Sequence, residues 1–246
     1  TLYGGAQSYY YYDDRGNLRI EVDPLGYVIE RQYDFAGNVT REIRYAQNLQ
    51  ESGLNTWDET LTYTYIKGVL NATHDENRIK VFEYNSLGQL KEEKLIDVDF
   101  WTLDGTKKPV EQSDQTLITS YEYDNLGNIV KITKPGNHGS IDYTYDALGR
   151  VESEKGLQFQ GMTSETGNQF TSGTIRQETE YFYDAMGNRV ITRKLGDSVT
   201  TEKSGYQYYD HAGRVYKSKD AAGHEVSYQY DILGNLCMDE QVVTVG

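Results

Sequence analysis

A five-residue pattern, Tyr, then Asp or Asn, two variable residues, then Gly, recurs eight times and constrains this chain more than any other feature. The copies are Tyr12 and Asp13 closing on Gly16, Tyr33 and Asp34 on Gly37, Tyr84 and Asn85 on Gly88, and Tyr123 and Asp124 on Gly127; then Tyr145 and Asp146 on Gly149, Tyr183 and Asp184 on Gly187, Tyr209 and Asp210 on Gly213, and Tyr230 and Asp231 on Gly234. Successive tyrosines lie 21, 51, 39, 22, 38, 26 and 21 residues apart. The basic period is therefore about 21, and the longer gaps hold insertions or worn copies. Partial copies from Asp23 to Gly26 and from Asp220 to Gly223 stand a half-period from a full motif, which places two turns in each period.

The residue types suit a tight hairpin. Asp or Asn accepts hydrogen bonds from the backbone of the turn it opens, and Gly takes positive φ where the turn closes. Asn, Gln or Arg follows the glycine, and then usually an apolar residue resumes an extended strand, as in Gly16-Asn17-Leu18 and Gly149-Arg150-Val151. Six motif tyrosines have an aromatic residue two positions earlier: Tyr10, Phe82, Tyr121, Tyr143, Tyr181 and Tyr228. Positions i and i+2 share a strand face, so neighbouring hairpins are expected to pair aromatic rings across strands.

Two strands per period give on the order of sixteen to twenty strands, more than the ~10 that an open twisted sheet holds without curling or splitting. The expected fold is all-β: tandem hairpins in one large curved, spiralling antiparallel sheet, with residues 1–246 as a single repeat segment. The stretches Ala46 to Asn77, Asp97 to Thr116 and Gly156 to Gln177 lack the motif and lack sustained helical periodicity. Apolar alternation in Thr60 to Ile66 and in Gln115 to Tyr123 predicts longer hairpins with loops at their tips.

Composition narrows the function. Lys and Arg total 24 against 38 Asp and Glu, a net charge of −14, which opposes nucleic acid and anionic lipid as partners. No window approaches eighteen consecutive apolar residues, so no membrane-spanning helix is expected. The single Cys237 forms no internal disulfide and is expected to be a buried thiol. His74, His138, His211 and His224 are scattered without metal-ligand spacing, and no nucleophile elbow, phosphate loop or dinucleotide fingerprint occurs. The motif aspartates are better explained as turn formers than as acid–base pairs. No catalytic residue, cofactor or metal is expected, and the chain reads as a non-enzyme. Trp57 and Trp101 are the large aromatics an inserted loop could offer to a carbohydrate or protein partner.

The motif on its 21-residue period resembles the YD or Rhs repeats of polymorphic Rhs toxins, the B and C components of insecticidal toxin complexes, wall-associated repeat proteins and teneurins. The resemblance covers nearly the whole chain. It implies a β-shell that encloses or displays a C-terminal toxin or effector domain, flanking repeats as partners, and a secreted or cell-surface location. It also implies that this stretch is an internal segment of a longer protein. The Asp23-Pro24 pair resembles the autoproteolytic core that closes such shells but lacks its flanking pattern, so it is read as an ordinary turn. The alternative is a surface adhesion or recognition module. Terminal strands of such a segment are open edges, so edge-strand self-association that rises with concentration is expected.

Overall fold

The computed structural model describes residues 7–74, 76–136, 139–165, 169–195 and 203–242. They form sixteen strands and one short helix, and the strands lie in one sheet whose order is the order of the chain. This is the simplest topology a run of hairpins can adopt, each strand pairing antiparallel with the one just made. The chain divides into two compact units, Thr1–Tyr121 and Glu122–Gly246.

The first unit holds β1 (Tyr9–Tyr12), β2 (Leu18–Val22), β3 (Val28–Tyr33), β4 (Val39–Arg44), helix α1 (Tyr63–Val69), β5 (Arg78–Tyr84), β6 (Leu90–Leu103) and most of β7 (Pro109–Tyr123). Its register runs Tyr11↔Ile20, Ile20↔Glu30, Glu30↔Ile43, Ile43↔Ile79 and Ile79↔Ile96, so these six residues form one row across one face. The insertion between β4 and β5 folds over that row. Leu49, Ile66 and Leu70 from the insertion join Tyr11, Ile20, Val22, Val28, Ile43 and Ile79 in a buried cluster.

The insertion departs from the hairpin expected there. Thr62 caps a helix by accepting the Tyr65 amide, and Ile66 on the helix is fully buried against the sheet. Tyr63, Ile66 and Leu70 are spaced three and four apart, the period that turns one helical face toward a core. Over so short a stretch the alternation of Thr60 to Ile66 fits both periods, and burial selected the helix. The longer hairpin expected across Asp97 to Thr116 does form, as β6 and β7.

The second unit holds β8 (Ile129–Thr133), β9 (Ser140–Tyr145), β10 (Val151–Glu165), β11 (Gln169–Tyr183), β12 (Arg189–Leu195), β13 (Lys203–Tyr209), β14 (Val215–Lys219), β15 (Glu225–Tyr230) and β16 (Leu236–Val242). Among its described residues none folds over the sheet and only Ser153 is buried. Polar ladders bind neighbouring strands instead. Glu178 pairs with Lys155 at 3.4 Å, Glu180 with Arg193 at 3.4 Å and Glu225 with Lys217 at 2.6 Å. Arg176 reaches across from β11 to the carbonyls of Gly156 (2.8 Å) and Ser140 (2.7 Å) and to the Asp142 carboxylate. Cys237, expected to be buried, is exposed, because β16 is the last strand of the sheet and nothing described covers it.

Within each unit the motif turns join odd strands to the even strands that follow, so they leave from one edge of the sheet. Insertions and half-period turns join even to odd strands and leave from the other. Insertions of any length therefore leave the motif edge undisturbed.

Candidate functional site: a turn lock and a tyrosine latch

Each motif builds the same small structure. The backbone amide of Asp13 donates to the carbonyl of Asn17 at 3.0 Å, and the Gly16 amide donates to the carbonyl of Asp13 at 2.9 Å. The Asp13 carboxylate then accepts the amides of Arg15 and Asn17 at 3.0 and 2.9 Å on one oxygen and the Asn17 side-chain amide at 3.1 Å on the other. The same set recurs at Asp34, Asp124, Asp184 and Asp231 with asparagine as the second partner. Asn85 repeats it with Gln89 as acceptor. The eight motif glycines have φ between 76° and 91°, the left-handed region that a side chain disfavours.

Hydrogen bonds fix the charge state of these carboxylates. The Asn17 amide, outweighing partial desolvation, holds Asp13 below the usual carboxylate range, and the Asn38 side chain does the same for Asp34. Asp146 and Asp210 are lowered by the backbone amides of Arg150 and Arg214 and then by their guanidinium groups. The half-period turn at Asp23 has the same backbone pattern, with its carboxylate accepting the amides of Leu25 and Tyr27 at 2.8 and 2.9 Å, so Asp23-Pro24 opens a turn here.

A turn of this form also stands at Asp104, where the sequence shows no motif. Asp104 accepts the amides of Thr106 and Lys108 at 2.8 and 2.9 Å, and Lys107 occupies the glycine position at φ 61°. With Lys in the glycine position these residues carry no motif, and the aspartate between two β-rich runs is the one signal of a turn.

The motif tyrosines link one repeat to the one before. The hydroxyl of Tyr33 donates to the carbonyl of Leu18 at 2.8 Å, Tyr84 to Val39 at 2.8 Å, Tyr145 to Ile129 at 2.7 Å, Tyr183 to Val151 at 2.9 Å, Tyr209 to Arg189 at 3.1 Å and Tyr230 to Val215 at 2.8 Å. In every case the acceptor is the second residue after the preceding motif glycine, whether 15 or 45 residues back in the chain. Burial raises the hydroxyl pKa of Tyr33, Tyr84 and Tyr145, which keeps these donors protonated.

The latch is a contact of the motif tyrosines that the expectation of aromatic ring pairs did not include. Tyr208 and Tyr216, on neighbouring strands, lie 6.3 Å apart ring to ring, and neither is a motif tyrosine. Cations also pack on the motif rings: Arg150 lies 4.4 Å from the ring centre of Tyr183 and Arg214 4.8 Å from that of Tyr230. Both arginines also grip their own aspartate through Nε at 2.7 Å, so one side chain joins a lock to the next latch. The Asn, Gln or Arg directly after the glycine, given no role by the sequence reading, is thus a second partner of the turn.

A different cluster ties the insertion to the sheet. Glu30 is 1% exposed; its carboxylate accepts Tyr45 Oη at 2.6 Å and Lys67 Nζ at 2.7 Å. Tyr63 Oη lies 3.1 Å from Lys67 Nζ and accepts Arg19 Nη2 at 2.9 Å. Burial pushes Glu30 up, but hydrogen bonds from Lys67 and Tyr45 outweigh it and leave the carboxyl below its usual range. Burial pushes Tyr11 in the same core up to about 12.

The two tryptophans differ from one another. Trp57 packs on the core directly above Gly26, where a Cβ would meet its ring at 2.8 Å, so it is a core residue and not a free recognition surface. Trp101 on β6 is 65% exposed. Among the described residues no three His, Cys, Asp or Glu side chains are placed to hold a metal, and no helix is long and apolar enough to cross a membrane. His138 lies outside the described residues.

These features define an all-β protein built of tandem, mutually latched antiparallel hairpins. The chain matches no protein-family model and no curated protein. Among solved structures it is similar to a chain of the TcdB2-TccC3-Cdc42 complex (15% identity, TM-score 0.43) and of TcdB2-TccC3 without its hypervariable C-terminal region (16%, TM-score 0.44), covering 94% of this chain and 12% of each of those. A third is the Photorhabdus luminescens Tc holotoxin pore, at 14% identity and TM-score 0.37, where 94% of this chain covers 13% of the other.

Proposed function

We propose that this chain is a non-catalytic segment of a YD/Rhs-type shell that encloses or displays a toxin or effector domain of a longer, exported protein. The observation that carries this reading is the constancy of the latch: six tyrosines meet the same acceptor position across spacings from 15 to 45 residues. Such uniformity belongs to a wall made of equivalent units, whereas a catalytic or ligand site concentrates its special residues in one place. Flanking repeats are then the natural neighbours of the segment, and an effector domain is its cargo. The test replaces Tyr33, Tyr145 and Tyr230 by Phe in the full-length protein and measures how fast protease cuts the effector domain. Faster cutting in the variant supports enclosure; equal rates remove it.

A recognition module is the second reading, favoured by the hairpin of β6 and β7, where Trp101, Leu103 and Val110 are all exposed. Binding to a glycan or cell-surface array that is lost in Trp101→Ala would support it.

A further inference from the structure

The lock and the latch leave the side chain at the fourth motif position without a role, yet in the second unit that position is mostly large and apolar. Leu126, Leu148, Met186 and Leu233 stand there, 82, 76, 73 and 84% exposed, with Ile232 beside Leu233 fully exposed; the remaining turn has Ala212. All five turns leave from one edge of the unit, two strands apart. Successive tips therefore lie about 9.6 Å apart and the row spans about 38 Å. Apolar side chains in a row, unlike single exposed ones, mark an interaction surface. Repeats added before or after the unit would lengthen this row and leave its side chains open.

We propose that the row is a contact between two copies of the chain, related by a two-fold axis, with the turns of each copy seated in the gaps between the turns of the other. Such an interface is isologous, so the same surface must be complementary to itself. Spacing meets that condition, because both rows have the same period. Charge selects the register. The carboxylates of Asp124, Asp184 and Asp231 bond neutral asparagines, whereas Asp146 and Asp210 carry their own arginines at 2.6 and 2.7 Å. Each arginine leans toward the next turn: a Cβ on Gly187 would stand 3.9 Å from the Arg150 guanidinium, and one on Gly234 3.8 Å from that of Arg214. A Cβ on Gly213 would meet the neutral Asn188, and one on Gly149 nothing within 4 Å. Gaps with and without a cation thus alternate along the row. With the rows antiparallel, one register seats the Asp124 turn in the partner copy's Arg214 gap and the Asp184 turn in its Arg150 gap, while the Asp146 and Asp210 turns enter the gaps without a cation. Shifting by one turn sets arginine turns on arginine gaps, which like charge disfavours. In the favoured register Met186 lies about 4.8 Å along the row from its own counterpart, and Leu126 lies beside Leu233 of the second copy. The footprint, about 38 Å by the ~10 Å thickness of a sheet, is roughly 400 Å² per copy, half that of a standard interface, so the dimer is weak, with a Kd on the order of 0.1 mM. The inference stands on this edge alone and does not depend on whether the parent protein encloses a cargo.

The test uses single-cysteine forms of the full chain, each with Cys237→Ser, and a short bismaleimide cross-linker. Met186→Cys is expected to cross-link to itself. Leu126→Cys, about 34 Å from its counterpart, is expected not to, but to cross-link with Leu233→Cys when the two are mixed. Sedimentation of the unmodified chain is expected to show a monomer–dimer equilibrium that Leu148→Ser with Met186→Ser weakens about tenfold or more. Both positions are exposed, so the urea midpoint of the monomer is expected to stay unchanged. A strict monomer up to about 1 mM, ten times the expected Kd, would overturn the proposal. So would association that the double variant leaves intact, or Leu126→Cys cross-linking to itself as readily as Met186→Cys, which would mean parallel rows or unspecific contact.

Discussion

Replacing Lys67 by Met takes away the cation that meets Glu30 beneath the insertion. Glu30 is 1% exposed and accepts 2.7 Å and 2.6 Å hydrogen bonds from Lys67 and Tyr45. Removing one partner of a buried ion pair costs roughly 3 to 5 kcal/mol, because the remaining charge is stranded in a low-dielectric site. Here the Lys67 side chain is 42% exposed, so solvent screens the pair, and Tyr45 remains as a donor. The expected loss at neutral pH is about 2 to 3 kcal/mol.

The pH dependence separates this account from simple loss of packing. In the native chain the Glu30 pKa is depressed, so its contribution is present above the unfolded value of about 4.3 and is lost as pH falls through the lower folded value. In the variant the hydrogen bond and the charge of Lys67 are gone while burial remains, so the folded pKa rises. Protonation then relieves the stranded charge, and the variant's deficit shrinks as pH falls from 7 to about 4. Urea unfolding in a Trp101→Phe background reads the transition through Trp57, which packs on this core. A deficit under about 1 kcal/mol at pH 7, or one unchanged between pH 7 and 4, would refute the reasoning. Glu30→Gln, which removes the charge itself, is expected to show a smaller and nearly pH-independent loss.

Tyr145→Phe is expected to destabilise the chain by about 1 kcal/mol in chemical denaturation, since it deletes the 2.7 Å bond to the Ile129 carbonyl. Lys107→Gly relieves a left-handed residue and is expected to raise stability by about 1 kcal/mol, whereas Gly149→Ala at φ 77° lowers it by a similar amount; thermal melts of the two variants check both signs. The lowered pKa values of Asp13, Asp34, Asp124, Asp146, Asp184, Asp210 and Asp231 make the turn locks most effective above the unfolded aspartate value of about 3.9. Their stabilisation is lost together as pH falls through the folded values, so hydrogen exchange at the motif turns is expected to show a joint loss of protection below about pH 4.

Much of this architecture was legible in one dimension because its determinants are local. Asp, two residues and Gly specify a turn within five positions; strands on either side then pair with no long-range information, and the chain order of the sheet follows. That is why Tyr12 to Gly16 and its seven counterparts could be placed from residue identity alone. The features that escaped the sequence are those in which partners lie far apart in the chain or share no type. Tyr84 meets a carbonyl 45 residues away, and a backbone acceptor leaves no trace in side-chain identity. Lys107 holds a glycine's place through its aspartate's hydrogen bonds. The stretch from Thr60 to Ile66 fits strand and helix periods equally, and only the apolar row Ile20, Ile43 and Ile79 beneath it decided for a helix with Ile66 turned inward. The sequence by itself thus determined the eight motif hairpins and their polarity, since each depends on neighbours along the chain. Tertiary structure decided how the hairpins hold one another, because latch, cation and insertion act between residues that meet only once the sheet has formed.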